Sequence, residues 1–294
     1  MSATGPSSRL LPIAGREHDI GGGFVVRRLL PDARRRAVGP FIFVDHMGPH
    51  AFAPGEGIDV RPHPHIGLST LTWLFDGALL HRDSLGSVQA IRPGDVNWMT
   101  AGRGIVHSER TPAAERAAGH RVEGLQTWLA MPEERAEDAP AFQHVPAAEV
   151  PRVLLDGATV DVVAGDSFGR QSPVRGCVPT LYASVRFSGG GGLTLDGTHE
   201  ERAILPLDDG VFLDDQPLAA KVLQVLLDRE PARLRADRAA RAMLLGGSPV
   251  GPRHLWWNFV ATTRERIERA KADWGAQRMG TVPGEVDFIP LPER

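Results

Sequence analysis

Two short stretches carry residue types and spacings that metal chemistry requires. The first is Arg61-Pro62-His63-Pro64-His65. Residues i and i+2 of a strand point to the same face, so His63 and His65 can aim two imidazoles at one point. Pro64 has no N–H to donate, which suits a strand edge or a barrel rim. The second is His107-Ser108-Glu109, with the same spacing, after the glycine-broken stretch Ala101-Gly102-Arg103-Gly104. Two strands that each give two such side chains to one interior make a site of three histidines and one carboxylate. Nitrogen and oxygen ligands suit Fe(II), Mn, Ni, Cu or Zn, and the lack of thiolate removes the soft-metal options. An octahedral ion so held keeps two positions for water, substrate or dioxygen. Either pair alone is a common accident; two pairs on different strands of one β-rich half are not.

The elements that must position these residues read as strands. Gly and Pro are frequent, at 33 and 24 residues, and they separate short β-type runs. The runs are Gly23–Leu30, Phe41–Val44, Leu68–Phe75, Val88–Ile91, Leu125–Met131, Thr159–Ala164, Thr180–Phe187, Ala203–Pro206 and Lys221–Leu227. Turn signals such as Pro93-Gly94-Asp95 and Asp208-Asp209-Gly210 lie between them. Many short strands at close spacing predict an all-β sandwich or barrel. One helix is expected near the C-terminus, over Thr263–Gln277, with Thr262 and Glu265 at capping-box spacing and Ile267, Ala270 and Trp274 on one face. A second, weaker helical pattern covers Pro231–Leu244. The Glu-, Ala- and Pro-rich stretch Pro132–Pro151 reads as a connector. It suggests an N-terminal domain over residues 1–135, a linker over 136–150 and a C-terminal domain over 151–294.

Other polar residues carry weaker signals. His81 and Asp83 share a strand face, which reads as surface polarity or a structural hydrogen bond. His46 and His50 flank Gly48-Pro49 and read first as a solvated turn, with the cavity mouth as the alternative. Gln126 and Trp128 alternate on one strand, facing either the pocket or the core. Gly189–Gly192 reads as a hairpin, because no helix follows that would make it a phosphate cradle. Arg34-Arg35-Arg36 reads as a solvated turn.

Composition narrows the classes. The 33 basic and 36 acidic residues leave a net charge of −3, and all but Lys221 and Lys271 of the basic residues are arginines scattered among acids. No direct nucleic-acid binding is expected from that balance. A single cysteine, Cys177, allows no intramolecular disulfide and no thiolate metal site, and fits a reducing compartment. Met1–Gly15 shows no apolar core of a leader, and no apolar run is long enough for a membrane helix. A soluble, cytoplasmic protein is expected.

Longer motifs in order narrow the reading. A G-x5-H-x-H pattern begins at Gly57, and Pro93-Gly94-Asp95 precedes the second pair, as in the two motifs of the cupin superfamily. Around them stand Phe43-Val44-Asp45-His46-Met47-Gly48-Pro49, His81-Arg82-Asp83-Ser84-Leu85-Gly86, Ala101 to Glu109, and Gly124-Leu125-Gln126-Thr127-Trp128. Leu244-Leu245-Gly246-Gly247-Ser248-Pro249 and Asn258-Phe259-Val260 follow in the second half. This series resembles the pirin family of bicupins. The resemblance implies two stacked cupin-type β-barrels with a few short helices, and one metal, most often iron, in the N-terminal barrel. The family's metal residues fall on His63, His65, His107 and Glu109. The broad cupin motif has a glutamate shortly after its second histidine; here Ser69 and Thr70 occupy that region, so the carboxylate comes from Glu109.

The same resemblance implies an Fe(II)-dependent dioxygenase that opens a flavonol such as quercetin with O2 and releases carbon monoxide. Glu109 is then both ligand and catalytic base. The alternative it implies is a non-enzymatic, iron- or redox-responsive regulator of a protein partner. In the second half, the positions matching His63 and His65 are Asp196 and Thr198, and no H-x-E pair follows. That barrel is therefore expected to hold no metal, with Asp196, His199 and Glu200 as the minor alternative.

Overall fold

The structure is a computed structural model and describes residues 9–20 and 23–293. Residues 1–8 of the segment read for a leader lie outside the described residues. The chain forms two compact units. One contains an N-terminal piece ending at Arg16, Leu29–Ile42 and Ala148–Pro249; the other contains Glu17–Arg28, Phe43–Ala147 and a C-terminal piece beginning at Val250. The units are therefore not the contiguous halves expected from composition. The first residues return to pair with the later half: Leu10–Ile13 forms an antiparallel ladder with Leu223–Leu226.

The histidine-bearing unit is built on two antiparallel sheets. The larger runs, in spatial order, Ala141–Val145, Val96–Thr100, Leu68–Asp76, His120–Ala130, Phe41–Phe52, Val25–Leu30, Arg16–Asp19. The smaller runs Asp59–His65, Ile105–Arg110, Leu79–Asp83, Val88–Ile91. Phe24, Val26, Met47, Leu74, Leu79, Ile91 and Val122 pack into an apolar core, and burial of such side chains is the main source of stability. The other unit repeats the plan with a larger sheet and the four strands Gly192–Leu195, Ala232–Ala236, Val211–Leu213 and Gln216–Pro217. Its interior is apolar, filled by Val160, Leu193, Leu195, Val211, Leu234, Leu244 and their neighbours.

Two expectations are corrected. Pro231–Leu244 is not a helix but the strands Ala232–Ala236 and Ala239–Gly247. Ala and Arg favour helices, yet Ala232, Leu234 and Ala236 alternate inward while Arg233 and Arg235 point out, and that period of two wins. The linker 136–150 contains Ala141–Val145, an edge strand paired along Val96–Thr100. Its Phe-Gln-His-Val core is compatible with a strand despite the Ala- and Pro-rich flanks.

The C-terminal helix spans Arg264–Gly275, and Thr263, not Thr262, caps it by accepting from the Arg266 N–H. Three residues beyond that cap stands Arg266, so no capping box forms. The buried face is Ile267, Ala270 and Trp274, as expected. It packs with Phe259, Ala261 and Val282 against Ile66 and Val106. No helix among the described residues is long and apolar enough to cross a membrane.

The segment after this helix is tied down by charge. Arg110 donates to Glu285 through Nε (2.9 Å) and Nη2 (2.6 Å), and the Ser108 hydroxyl donates to the same carboxylate at 2.9 Å. The Arg110 hydrogen bond holds the Glu285 carboxyl below its ordinary value near 4.5. A depressed carboxyl pKa stabilises the fold above the ordinary value, and that stability is lost as pH falls through the folded value. Glu285→Gln is expected to cost about 1–2 kcal/mol at neutral pH, allowing for the partial exposure of Arg110. Thermal unfolding of both proteins from about pH 7 to about pH 3 should show the gap closing on the acid side. A gap independent of pH would refute the ion-pair origin.

Candidate metal centre

The strand Ile105–Arg110 is the middle rung of the site. Against Asp59–His65 it pairs His107 with His63 and Ile105 with His65. Against Leu79–Asp83 it pairs His107 with Asp83 and Glu109 with His81. Three strands thus bring their inward side chains to one place, because residues opposite one another in a ladder are close neighbours. Pro64 sits on the edge strand, where its missing N–H is tolerated, as its chemistry predicts. The register slips between His107 and Glu109 against Asp59–His65, an irregularity that re-aims the side chains beyond it. The chain leaves His65 through Gly67, whose φ is +66°; a Cβ there would lie 2.1 Å from the Val260 carbonyl oxygen.

His63, His65 and His107 are buried, with ligating nitrogens all within 4.8 Å of one another. Their Nδ1 atoms are engaged away from the cluster. The His63 Nδ1–H donates to the Arg61 carbonyl (2.9 Å) and the His65 Nδ1–H to the Asn258 carbonyl (3.1 Å). His107 Nδ1 faces His81 Nδ1 at 3.4 Å. Those two carbonyls leave Nε2 of His63 and His65 as lone pairs directed inward. Burial holds His63 down to about 4 and pushes His65 and His107 well below their ordinary values, so all three are neutral near pH 7.

Neutral imidazoles are what a metal needs, and the donor set fits one. His65 Nε2 and His107 Nε2 stand 3.1 Å apart. Ligands at right angles on one ion, with metal–nitrogen bonds of about 2.0–2.1 Å, have just such a spacing.

Glu109 follows on the same strand. It is partly exposed yet crowded by protein, and desolvation pushes its carboxyl above the ordinary value despite the Gln126 hydrogen bond. Gln126 Nε2 donates to Glu109 Oε1 at 3.3 Å, and the Thr72 hydroxyl donates to Gln126 Oε1 at 2.7 Å. Gln126 therefore faces the site. Trp128 meets His65 edge-on at 5.0 Å between ring centres and stacks on Phe43 at 4.0 Å, so it is both packed and adjacent to the ligands.

Of the two readings of His81 and Asp83, the structural hydrogen bond holds and surface polarity does not: both are buried, joined by a 2.9 Å bond from His81 Nε2 to Asp83 Oδ2. The reading of His46 and His50 is corrected. His46 and His50 are not in a solvated turn but within the strand Phe41–Phe52, with His46 buried and His50 packed against Phe24 and Phe52. The signal for His81 was present, since H-x-D repeats the spacing of H-x-E. Asn258, which holds His65 across 193 positions of sequence, has no local signal.

In the other unit, Asp196, Thr198 and His199 line a cavity of about 530 Å3 together with Phe168, Gln171 and Leu195. His199 Nε2 donates to the Asp166 carbonyl (2.9 Å), and Asp196 Oδ1 accepts from the Thr198 N–H (3.0 Å). Among the described residues, no three ligating side chains converge there.

Comparison with known proteins places the whole chain. The family described as Pirin matches residues 23–129, and the Pirin C-terminal cupin domain matches residues 182–280. A pirin-like protein of Caulobacter vibrioides is 46% identical over 283 residues, covering 95% of this chain and 97% of that protein. Pirin of Mus musculus is 35% identical over 285 residues, covering 92% and 93%. The crystal structure of a quercetin 2,3-dioxygenase from Acinetobacter baumannii superposes with a TM-score of 0.89 at 35% identity, covering 97% of this chain and 95% of that one.

Loss of a ligand should cost more than the ~10–100-fold typical of an outer-shell partner. His107→Ala is therefore expected to weaken Ni(II) or Fe(II) binding by more than about 100-fold, while His199→Ala leaves it unchanged. Equilibrium dialysis decides; a stoichiometric metal retained by the His107 variant places the ion elsewhere.

Proposed function

The chain belongs to the pirin family, and from that premise we propose that it is a metal-dependent dioxygenase opening a flavonol such as quercetin. In this reading His63, His65, His107 and Glu109 hold one divalent metal, with Fe(II) as the working ion. The observation that carries it is the convergence of three neutral, inward-directed imidazoles in a chain 35% identical, along 97% of its length, to a quercetin 2,3-dioxygenase.

A bound divalent metal supplies Lewis-acid activation of the substrate's enol and a meeting point for it and dioxygen. The chain does the rest. Glu109 takes the proton of the flavonol hydroxyl at a carboxylate oxygen, a task suited to a carboxyl whose pKa burial has raised. Gln126, itself held by Thr72, keeps one oxygen of that carboxylate oriented by its hydrogen bond. The stacked and buried Phe43 and Trp128 form an apolar wall beside His65 that keeps water from it. The ring opens, both oxygen atoms remain in the product and carbon monoxide leaves.

A second reading, which the family resemblance also implies, is a regulator whose metal state alters a surface read by a protein partner. Oxygen uptake separates the two. Anaerobically Fe(II)-loaded protein should consume O2 with quercetin, and His63→Ala should abolish the uptake. Uptake absent from protein holding one iron per chain favours the regulator.

Within the enzymatic reading, Glu109→Gln should lower kcat by ~10²–10⁴-fold, the range of general-base catalysis, and weaken metal retention less than that, because the amide oxygen can still ligate but cannot take the proton. Normal turnover by that variant rules Glu109 out as the base.

A further inference from the structure

We infer that His81 and Asp83 are positioning residues that set the tautomer and aim of the ligand His107. The inference rests on the metal reading above. Its starting point is that the three histidines are not held alike. His63 and His65 lean on backbone carbonyls, whereas His107 leans on a side chain, His81.

The hydrogen-bond accounting runs outward to inward. Asp83 is fully buried, and its Oδ1 accepts the N–H of Leu85 (2.9 Å) and of Ser87 (3.0 Å). These two bonds fix the orientation of the carboxylate. Oδ2 then faces His81 Nε2 at 2.9 Å, and a carboxylate only accepts, so the His81 proton sits on Nε2. To ligate through the Nε2 that faces His65, His107 must keep its own proton on Nδ1, and His81 Nδ1 is the acceptor placed to take it. The two Nδ1 atoms stand 3.4 Å apart. His107 therefore carries Nδ1–H and presents a bare Nε2, the atom 3.1 Å from His65 Nε2. Phe142 stacks flat on His81 at 4.3 Å and holds its ring in plane. The ladder fixes the rest, with His107 opposite Asp83 and Glu109 opposite His81. A carboxylate-backed imidazole is also a stronger acceptor than a carbonyl, which makes His107 the most electron-donating of the three ligands.

Asp83→Asn tests this without changing shape. The Leu85 and Ser87 N–H groups keep the amide oxygen at the Oδ1 position, so the NH2 group points at His81. A donor there moves the His81 proton to Nδ1 and the His107 proton to Nε2, blocking the ligand atom. Two-bond ¹H–¹⁵N spectra of metal-free protein should show His107 as Nδ1–H in the wild type and Nε2–H in the variant. Calorimetric titration with Ni(II) should show binding weakened ~10–100-fold, as for loss of an outer-shell partner. A His107 that keeps its Nδ1–H in the folded variant, or a Kd unchanged within about twofold, overturns the relay. If the variant does not fold, the wild-type spectrum decides alone, since Nε2–H on His107 refutes the inference. A wild type that binds no Ni(II) refutes the metal reading, while the tautomer spectrum still judges the relay.

Discussion

Everything at the site depends on one antiparallel ladder in which a single strand, Ile105–Arg110, serves two faces at once. His107 and Glu109 alternate with Val106 and Ser108. The first pair turns toward His63, His65, His81 and Asp83. The second turns away, Val106 into the apolar cluster of the C-terminal helix and Ser108 onto Glu285. The same division holds across His65 and Ile66. A strand with polar ligands on one face gains little from burying that face. Its hold on the fold comes from the other, where Phe259, Ile267, Ala270 and Trp274 supply apolar contact.

That constraint explains why residues after Val250 belong with the histidine-bearing unit. They cover the outward face of the ligand strands, and Asn258 reaches the His65 ring from this same piece. The C-terminal segment thus acts on the site twice, by packing and by choosing which nitrogen of His65 is free. Electrostatics follows from the burial so achieved. Three imidazoles this close, out of water, are kept neutral because a proton on any of them would be desolvated and would repel charge on the others.

The two units show how one strand plan carries two interiors. Where one has histidines at the ends of its ladder, the other has Leu193, Leu195, Ala232 and Leu234 packed together. The histidine cluster belongs to the side chains and not to the strand plan.

Much of this was legible in the residues. The i,i+2 histidines, the H-x-E pair, the edge-strand proline and the glycine turns have local physical meanings, and the ladder brings His63, His65 and His107 together as their spacing requires. The resemblance of the ordered motifs to pirin extended that reading to the fold. What failed was also local: the Ala- and Arg-rich stretch 231–244 had helical propensity but strand alternation, and the Pro-rich connector hid an edge strand. His46 looked like a loop residue, because polarity alone does not reveal a buried position. Asn258, the return of Leu10–Ile13 to a distant strand, and the pairing of Arg110 with Glu285 were beyond reach. The sequence by itself determined which side chains could bind a metal and which faces of their strands they share, since those follow from period and chemistry. Tertiary structure alone decided what stands behind each imidazole, because a hydrogen bond between residues far apart in the chain depends on ladder register and packing that no local pattern encodes.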